Sequence, residues 1–255
     1  KGINIEAVID NREEVDSKLV YEVEKNNIKI FKGYTVTDTF GYKRINKISI
    51  KQLSKDGQKV VGSKINLSCD CLGVSGGWTP AVHLFTQSGG KLKFRDEDQV
   101  FIPNIYPSDQ LSIGACNGDL TLDEILSNTP RSLKEFLNIK NTEYDNLEVL
   151  SASNKSKRNI WLLPSDKVLG KTKSFVDYQN DATAKDIKLA LREGFRSIEH
   201  VKRYTTTGMG TDQGKLGNMH ALGIISETAG AKMGELGTTT FRPPYTPLTF
   251  GTIVG

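Results

Sequence analysis

Cysteine and histidine are scarce in this sequence, with three of each in 255 residues. Chemistry that needs several thiolate or imidazole ligands has little to draw on. Cys69 and Cys71 read as alternate residues on one face of a strand, packed in the core and too close along the chain to bond comfortably. Cys116 stands apart. A Cys-x-Cys without a second pair is a poor zinc motif, and an odd number of thiols fits a reducing, cytoplasmic setting. No apolar run approaches the roughly 20 residues that span a bilayer, and no signal peptide is recognisable, so no membrane role is expected. Charge of one sign is also in short supply: the net value is only +4. The one dense basic cluster, KSKR at Lys155 to Arg158, has no interleaved aromatics. It reads as a solvated loop, and no nucleic-acid partner is expected.

Catalytic constellations are missing as well. The chain has no Ser-His-Asp set, no metal cluster and no paired carboxylates at useful spacing, so no catalytic residue and no metal ligand is assigned. His200 and His220 read as surface or capping residues. Trp78 and His83, in SGGWTPAVHL, read as packing.

What is present is a rhythm of elements. INIEAVID (Ile3 to Asp10) has the pattern of a buried strand ending in an acid, followed by a helix, VDSKLVYEVEKN. IKIFKGYTVTDTFG reads as the next strand. KRINKISIKQLSKDGQKVVG reads as a hairpin turning at Asp56-Gly57, and NLSCDCLGVSGG as a returning strand. Strand, helix, strand and meander match the back half of a dinucleotide-binding domain of the disulfide-reductase type, over residues 1–92. An acid at the end of a second strand is where such folds hold a ribose hydroxyl, which makes Asp10 a candidate cofactor contact. An acidic turn residue without a ligand is the alternative. The first strand and its Gly-x-Gly-x-x-Gly turn are expected before Lys1. With the apolar stretch LTFGTIVG at the other end, the chain reads as an internal fragment.

QLSIGACNGDLTLDEIL (Gln110 to Leu126) suggests a short buried strand, a small-residue turn and a helix start. Amides at that helix start could face a pyrophosphate. The candidate contacts are Gly114, Ala115, Asn117, Gly118, Leu120 and Thr121, within a segment 93–135 that returns to the first nucleotide domain. A side chain at Gly118 is expected to push the backbone off a phosphate or ribose. The same residues also suit a plain tight turn. Residues 136–173 read as a linker, in an irregular stretch from Pro130 whose one short helix is LKEFLNIKN.

Residues 174–233 read as a small helical module. ATAKDIKLALREG is a helix with a capping box at Thr183 and Asp186, and Gly194 stops it. FRSIEHVKRY is a second helix, and the loop TTTGMGTDQGK leads to a third, GNMHALGIISETAG. Residues 234–255, with the stiff RPPYTP, form an extended linker. The fold class is therefore α/β: a partial dinucleotide-binding, disulfide-reductase-like domain followed by a small all-α module.

The spacing of this module resembles that of the ferredoxin-like module of some amine and opine oxidoreductases, where four cysteines hold a two-iron cluster. On this sequence Asp177 and Gln179 fall at the first pair of ligand positions, Asp212 at the third and Gly217 at the fourth. No thiolate is left, so no iron-sulfur cluster is expected. Several stretches together resemble the alpha-subunit family of heterotetrameric sarcosine oxidases: FVDYQNDATAKDI, REGFRSIEHVKRYTTTGMGTDQGK, GTTTFRPPYTPLTFG and SGGWTPAVHLFTQSGGKL. That resemblance implies demethylation of sarcosine to glycine, with oxygen reduced to peroxide and formaldehyde captured on tetrahydrofolate. It implies NAD on the alpha subunit, FAD and FMN on or against a partner subunit, and a folate domain beyond this chain. The implied partners are beta, gamma and delta subunits. The alternatives are a non-catalytic scaffold, or an alpha-type subunit of a related opine or amine dehydrogenase, which typically keeps the cluster cysteines.

Overall fold

The computed structural model describes residues 2–15, 18–107, 109–140, 159–243 and 246–254. The KSKR cluster and part of RPPYTP lie outside them. The chain separates into two compact units: residues up to Gly76 together with the segment 159–172, and the residues from Gly77 on, without that segment.

The first unit begins with strand β1 (Ala7–Asp10), helix α1 (Lys18–Lys25) and strand β2 (Lys29–Lys32). The two strands pair in parallel, with Asp10 opposite Lys32. A parallel pair needs a crossover, and α1 supplies it. The apolar run expected to continue past Phe31 is broken at Gly33, whose φ of 72° turns the chain. A new strand starts there. β3 (Tyr34–Gly41), β4 (Ile45–Leu53) and β5 (Val60–Ser68) form an antiparallel meander in the order β3-β4-β5. Gly57 sits in the β4–β5 turn with φ 72°, as the Asp-Gly pair predicts. Phe31, Ile48 and Ile50 are the buried centre of the unit, and Ile9, Val36, Ile65 and Cys69 pack on it. Each fully buried residue of this size contributes roughly 1.5–3 kcal/mol. The strand carrying Cys69 and Cys71 is shorter than expected: β5 stops at Ser68, and Cys71 is exposed. The sequence alternates past this point, but no neighbouring strand continues the ladder.

The segment 159–172 is fastened to the meander by charge. Lys51 donates to Asp166 at 2.8 Å, while Asp38 is bridged by Lys64 at 2.7 Å and by Lys167. Those two ammonium groups hold the Asp38 carboxyl below the usual range.

The second unit opens with helix α2 (His83–Gln87) and the hairpin β6 (Lys91–Arg95) and β7 (Val100–Ile105). His83 is buried as expected, but Trp78 is 85% exposed, against the packing role read from its motif. No strand forms at 110–113. β7 is paired with β6 alone, and a 3-10 turn (Gly114–Asn117) follows instead. Helix α3 (Leu122–Phe136) then runs through Pro130, where an irregular stretch was expected to begin. Its start is secured by a reciprocal capping box between Thr121 and Glu124. The one N–H that proline removes does not outweigh that cap and an amphipathic stripe.

A short ribbon, β8 (Phe175–Asp177) with β9 (Ala182–Thr183), introduces the helices α4 (Ala184–Arg192), α5 (Ile198–Thr205) and α6 (Asn218–Ala229). The all-α expectation therefore gains one small ribbon. Asp186 caps α4, accepting from the Thr183 amide at 2.8 Å and hydroxyl at 2.6 Å. Gly194, at φ 100°, ends the helix where the sequence placed its stop. α6 is apolar on nearly every face, as a central helix must be. Ala221, Leu222, Ile224 and Ile225 on it are buried, along with Ile187, Ala190 and Leu191 of α4. α7 (Met233–Leu236) and α8 (Phe250–Val254) complete the elements. Among the described residues no helix is long and apolar enough to cross a membrane.

Candidate functional site

Asp177, Gln179, Asp212 and Gly217, the positions expected from the resemblance to match cluster ligands, lie at one end of the helical module. Asp177, the last residue of β8, is buried, and its carboxylate is surrounded by donors. One oxygen accepts from the amides of Gln179 at 2.8 Å and Asn180 at 2.9 Å, closing the loop after the strand. The other accepts from the buried amide of Gly208 at 2.7 Å, across in the second loop. Burial by itself would raise the Asp177 pKa. The donors from Asn180, Gly208 and Gln179 outweigh it and hold the carboxyl below its ordinary value.

Gln179 reaches across in the same way. Its Oε1 accepts from the Asp212 amide at 3.1 Å, and its Nε2 donates to the Thr211 hydroxyl at 2.9 Å. Asn180 Nδ2 donates to the Thr206 carbonyl at 3.1 Å. The Asp212 carboxylate turns into its own loop, accepting from Gly214 at 3.0 Å. Gly217 lies so close to β8 that a Cβ there would meet the Val176 carbonyl oxygen at 2.2 Å. The loops are thus joined by direct hydrogen bonds where a ligand-bridged module would be joined through its cluster. Among the described residues, no group of three or more His, Cys, Asp or Glu side chains could hold a metal ion. Anaerobic reconstitution with iron and sulfide is expected to leave the protein without a charge-transfer spectrum or acid-labile sulfide. Stoichiometric cluster uptake would contradict that.

Sequence reasoning missed Asn218. Its Oδ1 fills the space a Cβ would take at both Gly208 and Gly214, and its Nδ2 donates to Thr239 at 3.0 Å. The signal was present in the spacing: two left-handed glycines four residues or more before a helix-starting asparagine.

The nucleotide candidates fall in two different units. Asp10 ends β1, at the carboxyl edge of the parallel pair where α/β folds hold a ribose. Its carboxylate is engaged by Arg12, through the amide and Nε at 2.9 Å and through Nη2 at 2.6 Å. The Arg12 side-chain bond is the main reason its pKa is lowered, and it stays ionised as a ribose acceptor must. Both side chains keep some exposure.

The 114–121 turn is built differently. The amides of Gly118 and Asp119 bond back to Ala115 and Gly114. Those of Leu120 and Thr121 both donate to Glu124 Oε2 at 3.1 Å. Asp119, Asp123 and Glu124 add negative charge beside them. The amides of residues 118–121 are therefore engaged within the chain, with the Arg95 guanidinium donating to the Gly118 carbonyl at 2.7 Å. Gly118 has φ 92°, and a Cβ there would strike Ile102 at 2.7 Å and Arg95 at 2.9 Å. Its glycine answers to the turn and to internal packing, so a substitution there reports on the fold before it reports on any ligand.

Comparison with known proteins follows this geometry. Residues 171–255 match the sarcosine oxidase A3 domain family. The sarcosine oxidase subunit alpha of Rhizobium meliloti (strain 1021) is 32% identical over 259 aligned positions, covering 100% of this chain and 24% of that protein. That of Corynebacterium sp. (strain P-1) is 32% identical over 261, covering 98% and 26%. The chain therefore spans about a quarter of the length of the curated relatives it matches. Among solved structures, the L-proline dehydrogenase from P. horikoshii superposes with a TM-score of 0.56 at 17% identity, over 96% of this chain and 49% of that one. At that identity the likeness is one of fold, and it agrees with the expected α/β class.

Proposed function

We propose, from the chain's place in the sarcosine oxidase alpha-subunit family, that it is a non-catalytic segment of an oxidoreductase subunit. On this reading the whole enzyme oxidises sarcosine to glycine with oxygen, yielding peroxide and methylenetetrahydrofolate, in the cytoplasm. The observation that carries it is an alignment running from one end of the chain to the other. The relatives' printed name, subunit alpha, supports companion subunits here, with beta, gamma and delta as the proposed set. FAD and FMN belong to a partner subunit or its interface in this reading, and folate to another domain. No residue of this chain is assigned to them.

NAD is the cofactor this chain would help to hold. Asp10 is the proposed ribose contact: an ionised acceptor at the carboxyl end of β1, held in place by Arg12. In this reading the 114–121 turn contributes packing, because the amides of Gly118, Asp119, Leu120 and Thr121 have other partners. Bound NAD would supply a redox-active nicotinamide, while this chain's role is to hold the nucleotide. The bonds around Asp177 hold the two loops of the helical module together, leaving its outer surface for contacts with other parts of the enzyme.

The test is made on the assembled enzyme containing this chain. Oxygen uptake with sarcosine should be accompanied by stoichiometric peroxide. Asp10→Asn should weaken NAD retention about ten-fold, the scale of one lost charge-assisted hydrogen bond. Asp70→Asn, at an exposed ion pair with Arg44, should leave it unchanged. Wild-type NAD content in folded Asp10→Asn would favour the scaffold reading.

A further inference from the structure

The three-stranded meander of the first unit has two unlike faces. Ile48 and Ile50 of β4, with Val36 and Ile65 beside them in register, belong to the apolar core. The intervening residues form the other face, with Thr35 beside Lys51, Asp38 beside Ser49, and Ser49 beside Asn66. That face is polar, yet Thr35 is only 5% exposed and Ser49 0%. The segment 159–172 lies on it, with neither helix nor strand of its own, and adds no strand to the sheet. Two consecutive residues of the segment, opposite in sign, meet two sheet residues of opposite sign. Asp166 accepts from Lys51 at 2.8 Å, and Lys167 pairs with Asp38.

We propose that the segment 159–172 is a releasable strap, latched by these two crossed ion pairs, which lifts from the sheet while the meander stays folded. A buried ion pair resists opening because separation leaves a charge uncompensated. This latch strands none. Asp38 keeps Lys64, which donates to it at 2.7 Å from the same face. Lys51 and Asp166 pass into water, and Asp166 is more than half exposed already. The groups beneath are satisfied within the sheet. Ser49 Oγ donates to Asn66 Oδ1 at 2.6 Å, and Thr37 Oγ1 donates to the Ser49 carbonyl at 3.3 Å. The core is independent of the strap, because Phe31, Ile48 and Ile50 pack together on the opposite face. Ion pairs open to solvent are weakened by salt, so the closed state responds to ionic strength. Opening uncovers a polar face that the latched strap withholds from solvent.

The test follows Trp161, half-buried in the strap, in the full chain carrying Trp78→Phe, which leaves it the sole tryptophan. Raising potassium chloride from about 10 mM to about 1 M shortens the screening length from roughly 30 to roughly 3 Å. Acrylamide quenching of Trp161 should then rise by about two-fold or more, with red-shifted emission. Amide exchange at Ile48 and Ile50 should stay slow throughout. Asp166→Lys combined with Lys167→Asp sets like charge against like, and should give the strongly quenched state already at low salt. Lys51→Glu added to Asp166→Lys re-forms one pair, and should quench less than Asp166→Lys alone. Should the charge variants fold poorly, the salt titration of the Trp78→Phe protein decides alone. Equal quenching at both salt concentrations would overturn the strap, as would parental quenching in the folded double variant. So would exposure of Trp161 that comes only with loss of protection at Ile48 and Ile50, since the segment would then be part of the fold.

Discussion

Asp177→Ala is expected to destabilise the helical module by about 2–4 kcal/mol, the range for removing an ionised acceptor and stranding a buried donor. The three amides it serves do not suffer equally. Gln179 and Asn180 are exposed and regain water, while Gly208 is buried and does not. The loss should therefore appear first as accelerated hydrogen exchange at Gly208, together with a lower denaturation midpoint. Asp177→Asn should recover part of the stability, since an amide oxygen still accepts. Acid should act in the same direction. The folded-state pKa lies below the unfolded value, so this contribution is present above the unfolded pKa and fades as the pH falls through the folded one. The parent protein should lose stability there more steeply than Asp177→Asn. Identical acid-unfolding curves, or an unprotected Gly208 amide in the parent, would show that the carboxylate does not join the loops.

Gly217→Ala should cost about 3 kcal/mol, more than alanine at Gly210 or Gly194 of the same module. Its Cβ would sit 2.2 Å from a backbone oxygen of β8, and backbone cannot rotate away. At Gly210 the obstacle is the Gln179 side chain, with Oε1 at 2.2 Å, which can swing aside and forfeit its bonds to the other loop. At Gly194 the space is open and only the positive φ is penalised, by about 1–2 kcal/mol. Urea denaturation of the three variants should place Gly217→Ala lowest. If Gly210→Ala or Gly194→Ala unfolds first, β8 and the α6 start are not in the close contact described. A cysteine at 217 would meet the same backbone oxygen, so β8 would have to move to admit it.

The elements with strong local signals were legible from residues alone. The Thr183–Asp186 cap, the Gly194 stop and the Asp56-Gly57 turn each rest on interactions between near neighbours. The absence of thiolates at Asp177, Gln179, Asp212 and Gly217 was likewise a property of sequence. Errors arose where a pattern required a distant partner. Alternation around Cys69 and Cys71, and at 110–113, met no neighbouring strand, and a strand without a ladder is not formed. Trp78 had the size for a core residue, but burial depends on what packs against it. Pro130 was read as a break, yet one lost N–H is a small cost beside a capped, amphipathic helix.

Composition and local chemistry thus determined which short motifs this protein forms. Only tertiary structure decided what those motifs are for. It gave the amides of residues 118–121 to Glu124 and the chain itself, and brought Asp177 to Gly208 across 31 residues of sequence. The reason is range. Capping and turn energies are settled within a few residues, whereas the accessibility of a donor, the burial of a charge and the room left for a side chain depend on segments that meet only after folding.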